Sequence, residues 1–276
     1  MTIFGPVIDV RPLFPDERRA LLELLRELGP RDWARATVCP GWDVHDIAGH
    51  VLNDYTRRLS GSRDGYAGAR FADGETLPRF LERVNGEFVR ATRQISPELL
   101  IELLEHLGPG LDAVWASHQL EAPAGLDVSW AATDLASPAW LDIGREYTEF
   151  WVHQQQIRDA VGRPGADEPV LMTPVLEIFA RALPQSLREH DRSEGTTAEL
   201  EVLGAAGGRW SATPRQGRWH LTALGGEPEA RVTMDQDTFW RLATRGITVE
   251  QARSRSRTTG DPELTAAMTA LLAVVA

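Results

Sequence analysis

The sequence predicts an α+β protein in two parts: a bundle of four main helices over residues 1–165 and a smaller α+β domain over 166–276. Three observations predict it. Long segments of the first part repeat apolar residues at helical spacing. From Leu200 onward the segments become short and alternating, with glycine-rich turns between them. At 276 residues the chain is long enough for one large or two ordinary domains, each with its own core.

Asp16 to Leu28 carries Leu21, Leu22, Leu24, Leu25 and Leu28 on one side and is closed by Gly29-Pro30. Asp43 to Leu59 opens after a Pro-Gly turn and bears a stripe through Val44, Ile47, Val51 and Tyr55. His50 lies beside that stripe and so faces the bundle interior. His45 is five residues earlier, roughly 140° round the helix, and cannot share a site with it. Leu77 to Gln94 forms a third helix through Phe80, Leu81, Val84 and Phe88. Ser96-Pro97-Glu98 is a helix start, serine as cap and proline in the first turn, leading a long stretch to His118 with a bend at Gly108-Pro109-Gly110. Ser137-Pro138 opens the helix that carries Glu149 and His153 and stops near Gly162. Helices with inward polar groups suggest a site within the bundle.

In the second part a helix from Thr173 to Glu189 precedes four short strands at 200–203, 210–213, 219–222 and 230–234, expected as an antiparallel meander. Asp237 to Arg245 and Asp261 to Val274 read as helices. Arg253, Arg255 and Arg257 alternate as on one face of a strand, most simply as exposed charge.

A net charge of −11 argues against a broad nucleic-acid or anionic-membrane surface. No stretch reaches the roughly 18–20 apolar residues of a membrane span. The first residues lack the basic start and apolar run of a signal peptide, and the single cysteine, Cys39, rules out an internal disulfide. A cytoplasmic protein is the expectation. All 29 basic residues are arginine, which removes Schiff-base and phosphate-loop lysines from consideration. Cys39 reads as a packed small hydrophobe rather than a nucleophile. Trp42, Trp140 and Trp151 flank the inward polar groups in sequence and could line a pocket.

Glu149 and His153 are four apart and project from one helix face, and His50 faces the interior from another helix. Two imidazoles and a carboxylate suit a divalent transition metal, and three protein ligands leave a coordination position open, the catalytic pattern for zinc. By spacing alone, most such pairs are a solvated face or a hydrogen-bonded core pair. Against that simpler reading, all three groups fall near apolar sides, where unpaired polar groups are costly.

Gly41-Trp42 with His50 eight residues on, together with Arg145-Glu146-Tyr147-Thr148-Glu149-Phe150-Trp151-Val152-His153-Gln154-Gln155-Gln156-Ile157-Arg158-Asp159-Ala160, resembles the mycothiol-dependent maleylpyruvate isomerase family. That family belongs to the larger DinB-like four-helix group and joins its bundle to a sterol-carrier-protein-like C-terminal domain. Asp237-Thr238-Phe239-Trp240-Arg241-Leu242 and Thr259-Gly260-Asp261-Pro262-Glu263-Leu264 resemble that second domain. The resemblance implies zinc, or another divalent transition metal, held by His50, Glu149 and His153, with a thiol or water in the fourth position. It also implies that Arg245, just before Gly246, meets an anionic substrate or cofactor carboxylate. Arg83 is the looser match to an arginine on the bundle. Many relatives read His-x-x-Asp after the second metal histidine, where this chain has Gln156, an amide that cannot act as a base.

The implied activity is that of a metal-dependent enzyme using a low-molecular-weight thiol, mycothiol, on a small electrophilic acid. It would isomerise the acid or transfer the thiol to it, and hydrolysis by zinc-bound water is a further variant. The alternative is a metal-stabilised small-molecule-binding or regulatory protein without turnover. Substrate and thiol are the only partners implied; oligomeric state is left open.

Overall fold

Proline at the first turn, followed by Asp16 and Glu17, starts α1 (Phe14–Arg26), and its leucines 21, 22, 24 and 25 are buried. The computed structural model describes residues 3–66 and 68–274. After the short α2 (Pro30–Trp33), α3 (Val44–Arg58) begins with a reciprocal cap: the Asp43 carboxylate accepts from the Asp46 amide, and Asp46 reaches back to the Asp43 amide. α4 (Leu77–Thr92) lies against α3 where Gly49 meets Thr92, whose Cβ would sit 3.1 Å from any Cβ added at position 49. α5 (Pro97–Ser117) is capped by Ser96 and runs unbroken through Gly108-Pro109-Gly110, where the sequence suggests a bend. Gly108 is needed there because a side chain would collide with Arg18, which reaches past it to Asp112.

α6 (Ala139–Val161) closes the bundle. Its Tyr147 and Phe150 pack on Phe14 of α1, with ring centroids 5.5 and 6.0 Å apart. Phe150 also meets Tyr55 of α3 at 5.1 Å, and Phe14 meets Trp115 of α5 at 6.0 Å. These rings join four helices into one core, and truncating Phe150 there would remove about 3–5 kcal/mol of packing.

The chain separates into two units that interleave, where the sequence suggests one cut at 165/166. The helical unit takes residues 10–118 and 146–166; the other takes its described residues from 3–9, 119–145 and 167–274. Segment 119–145 folds on itself through the Pro123–Pro138 bridge and the bonds from Ala139 and Trp140 amides to Ala122 and Leu120 carbonyls. It then meets later residues of its own unit: Ile178 presses on Gly144, and Arg181 stacks on Trp140.

In that second unit α7 (Pro169–Phe179) starts four residues earlier than expected, at a first-turn proline, and α8 (Leu183–Ser186) ends the helical stretch. Five strands follow: β1 (Ala198–Leu203), β2 (Gly208–Arg215), β3 (Arg218–Thr222), β4 (Ala230–Asp235) and β5 (Arg257–Gly260), in the order β3-β2-β1-β4-β5. The expected all-antiparallel meander holds for β1 to β3, but β4 runs parallel to β1, Leu200 opposite Val232. The alternating pattern fixes which face is buried and is silent on strand direction. Leu200, Val202, Ala212, Leu221, Val232 and Met234 are buried, against α9 (Gln236–Ala243) and α11 (Pro262–Met268) among others. On the other face Glu199 binds both Arg209 and Arg231. The alternating arginines are not one strand: Arg253 lies in α10 (Val249–Ser254), Arg257 opens β5, and α11 ends well before Val274. Among the described residues no helix is long and apolar enough to cross a membrane. The architecture is α+β, a helical part followed by a mixed sheet with helices.

Candidate metal centre

The loop before α3 sets one wall of the site. Gly41 adopts φ +80°, which glycine alone takes without cost, and the Trp42 amide returns to the Cys39 carbonyl. Thr37 ties the loop further by donating through its hydroxyl to the Trp42 carbonyl. The turn holds Trp42 over His50, ring centroids 5.1 Å apart. α3 then places His50 on its buried side, 4 % exposed, because Ile47 and Val51 bury the neighbouring stripe.

The opposite wall is α6, where Glu149, His153 and Gln156 follow at four and three residues and so share a face. His50 and His153 meet edge to face at 4.6 Å, and Glu149 Oε1 lies 3.4 Å from His50 Nε2 and 3.1 Å from His153 Nε2. One nitrogen or oxygen from each of the three residues falls within 4.8 Å of the others. The Glu149 side chain is 39 % exposed while both imidazoles are buried, so solvent reaches the cluster from the carboxylate side.

The donor set fits a divalent cation. A single carboxylate oxygen faces two imidazole nitrogens, and the second nitrogen of His153 faces the Gln156 amide oxygen at 2.8 Å. With an acceptor on either side, His153 needs a cation or an extra proton to satisfy Nε2. His50 Nδ1 is buried with no hydrogen-bond partner among the described residues, which leaves Nε2 as its one engaged nitrogen.

Charge is arranged to match. Burial pushes the Glu149 carboxyl up, but His153 and His50 outweigh it and hold it well below the usual carboxylate range. Burial opposes charging of His50, yet Asp54 and Glu149 together raise it above the ordinary imidazole value. Asp54, one turn beyond His50 with Oδ2 3.8 Å from its Nε2, is pushed up to about 6 by burial, a pull from His50 working against the push from Glu146 and Glu149. The Cys39 thiol donates to Gln156 Oε1 at 3.3 Å and is pushed up to about 11 by burial and the charge of Glu149. It is a protonated donor, more polar in role than the small hydrophobe that its neighbours in sequence suggest.

The structure brings His50, Glu149 and His153 together. Arg83 is engaged by its own unit: Glu75 takes Nε and one terminal nitrogen, which also donates to the Arg70 carbonyl, and the guanidinium lies over Phe80. Arg245 belongs to the other unit, exposed and left-handed at φ +61° just past α9. Trp140 is occupied by Arg181 in that unit, and Trp151 donates to the Ala166 carbonyl at 2.7 Å, so Trp42 alone of the three tryptophans lines the cluster. His45 donates or accepts at the Ile95 carbonyl, away from His50, as its angle round the helix requires. Asp159 is exposed. Asp54 and the loop cysteine are members of the surroundings that sequence reading missed; the spacing of Asp54 four residues after His50 was the available signal.

No curated protein matches the chain. Among solved structures, a mutant of the mycothiol-dependent maleylpyruvate isomerase superposes with a TM-score of 0.54 at 16 % identity, over 94 % of this chain and 96 % of that one. Another crystal structure of the mycothiol-dependent maleylpyruvate isomerase gives 0.53 at 17 %, over 89 % and 93 %. At such identities these likenesses establish a shared fold. The family model of the mycothiol maleylpyruvate isomerase N-terminal domain matches residues 14–158, more than half of the 276 and inclusive of His50, Glu149 and His153. By that match, the chain belongs to the mycothiol maleylpyruvate isomerase N-terminal domain family.

Proposed function

We propose that this protein is a divalent-metal-dependent enzyme, zinc being the metal its N/O donor set suits, which uses mycothiol to isomerise a small electrophilic acid of the maleylpyruvate kind. The observation that carries the reading is the convergence of two buried imidazoles on one carboxylate oxygen at 3.1 and 3.4 Å. His50 and His153 would offer Nε2 and Glu149 an oxygen to the cation. Bound there, a divalent cation favours the thiolate form of a thiol near neutral pH.

The thiolate sulfur bonds to one carbon of the conjugated double bond, and the π electrons move onto the neighbouring carbonyl as an enolate. Rotation occurs about what is now a single bond. The enolate then re-forms the double bond and the carbon–sulfur bond breaks, returning the thiolate. Trp42 covers His50 and limits water on that side. Arg245 is proposed to hold a carboxylate of the acid; it stands exposed at the left-handed turn that closes α9, where the Gly246 amide returns to the Arg241 carbonyl. Arg83 is the second proposed arginine; Glu75 takes two of its nitrogens and the third, Nη1, lies 3.9 Å from Glu87 Oε2. Thiol transfer to the same acid would follow if the final elimination did not occur.

The test is metal content beside activity. The protein purified without added metal is expected to hold about one zinc per chain, and His153→Ala to hold none. The parent should interconvert cis and trans forms of the acid only with thiol present, and Arg245→Ala should raise KM for the acid. Metal binding without turnover, joined to tight binding of a small acid, would favour a binding protein instead. A parent that takes up no zinc even when supplied would sink the mechanism.

A further inference from the structure

Three consecutive glutamines on α6 are buried, and at about 100° per residue they look three ways. Gln154 donates to Glu17 in the bundle core at 2.8 Å, and Gln155 donates to the Gly165 carbonyl at 3.0 Å. Gln156 alone points at the metal cluster, and there it presents its carbonyl oxygen. Two groups converge on that oxygen: the ring nitrogen Nδ1 of His153 lies 2.8 Å away, and the Cys39 thiol donates at 3.3 Å.

An amide oxygen only accepts, so the imidazole nitrogen facing it carries the hydrogen. In a neutral ring the other nitrogen is then bare. That bare Nε2 is the atom 3.1 Å from Glu149 Oε1, the position a cation would fill between them. The converse tautomer would set lone pair against lone pair at Gln156. A carboxylate in place of Gln156 would make the same contact but add a negative charge to a cluster that already contains Glu149 and Asp54.

We propose that Gln156 is a positioning residue of the metal centre: its amide oxygen holds His153 as the Nδ1–H tautomer with Nε2 open to the cation, and at the same time anchors the Cys39 thiol of the facing loop. The assignment rests on the metal reading above, but the tautomer it specifies exists without metal. Outer partners of ligating histidines fix ring orientation in this way, and their loss typically costs about 10–100-fold in metal affinity.

The experiment uses the full chain labelled with ¹⁵N-histidine and stripped of metal with a chelator. Long-range ¹H–¹⁵N correlation spectra are recorded at about pH 9, above the ordinary imidazole range, with His153 assigned from its loss in His153→Gln. The parent should show His153 as Nδ1–H. Gln156→Ala should give mixed tautomers, and Gln156→Glu, which keeps an acceptor, should restore the parental one. His45 and His118, each bound to a backbone carbonyl elsewhere in the unit, report whether the variants keep their fold. Zinc affinity by competition with a chromophoric chelator should fall about 10–100-fold in Gln156→Ala and be recovered in Gln156→Glu.

An Nε2–H tautomer in the parent overturns the proposal whether or not zinc binds. So does an unchanged tautomer and affinity in Gln156→Ala, or, should that variant not fold, a Gln156→Glu protein whose His153 differs from the parent. If the parent shows the expected tautomer but takes up no zinc, the proposed function falls, and the proton placement by Gln156 is supported on its own.

Discussion

Adjacent residues of α6 serve two carboxylates that behave in opposite ways. His153 faces Glu149, and Gln154 faces Glu17. Glu149 sits between two imidazoles and is held well below the usual range; Glu17 is pushed up to about 7 by burial, which the Gln154 amide and the nearby Arg18 and Arg158 only partly offset. Those arginines are spent elsewhere. Arg18 pairs with Asp112, and Arg158 donates to the Gln154 oxygen and the Ala20 carbonyl. Desolvation pushes both acids upward, so that push does not distinguish a site from a core. The partner does: a ring that can carry positive charge keeps Glu149 ionised and ready for a cation, whereas an amide leaves Glu17 holding a proton near neutrality.

The sharpest break of this contrast is the same change at both acids. Glu149→Gln should lose zinc by more than about 100-fold, beyond the effect expected of an outer partner, while Glu17→Gln keeps parental zinc affinity. Equal losses in the two variants, measured by chelator competition, would mean that the carboxylates are not functionally separate.

Glu17 gives the next largest effect, and its sign is fixed. Its folded pKa lies above the unfolded value of 4.5, so the native chain binds the proton more tightly and its stabilising contribution, full below 4.5, fades as pH rises to about 7. At about 1.4 kcal/mol per unit this is on the order of 3 kcal/mol. Urea unfolding of the metal-free parent should show that decline between pH 5 and 8. Glu17→Gln should flatten it, and an unchanged slope would locate the titrating group elsewhere.

The smallest effect probes how firmly the site's wall is held. Gly49→Ala pushes against Thr92 and should cost about 1–3 kcal/mol as overpacking. Because His50 is the next residue, a parental edge-to-face geometry of His50 and His153 in a crystal of that variant would show that the wall yields elsewhere, in α4.

Much of the site was legible because it follows helical spacing. The four-residue step from Glu149 to His153 and the apolar stripe beside His50 each specify a face, and faces of neighbouring helices must meet. Proton placement was not legible. Gln156 read as the loss of a base, since a letter code gives an amide's chemistry but not which of its ends is presented, nor that Cys39 arrives from a loop 117 residues away to share it. Nothing local in the sequence announces that Gln154 covers Glu17. The parallel pairing of β4 with β1 was missed for the same reason: alternation encodes a face, and partner and direction are decided by the chain that packs over it. Arg83 shows the converse, a plausible anion ligand whose guanidinium an upstream acid, Glu75, has largely taken.

The interleaving of the two units has a consequence for how the chain can be divided. Because 119–145 belongs with the later unit and 146–166 returns to the earlier one, no single cut yields both units whole. A fragment ending at 118 would contain His50 yet lack the α6 residues that complete its cluster, while one ending at 166 would carry an orphaned 27-residue insert. Proteolytic cuts after 118 or 145 separate His50 from Glu149 and His153, so there the metal ligands would be restored by complementation of the two pieces rather than by either alone.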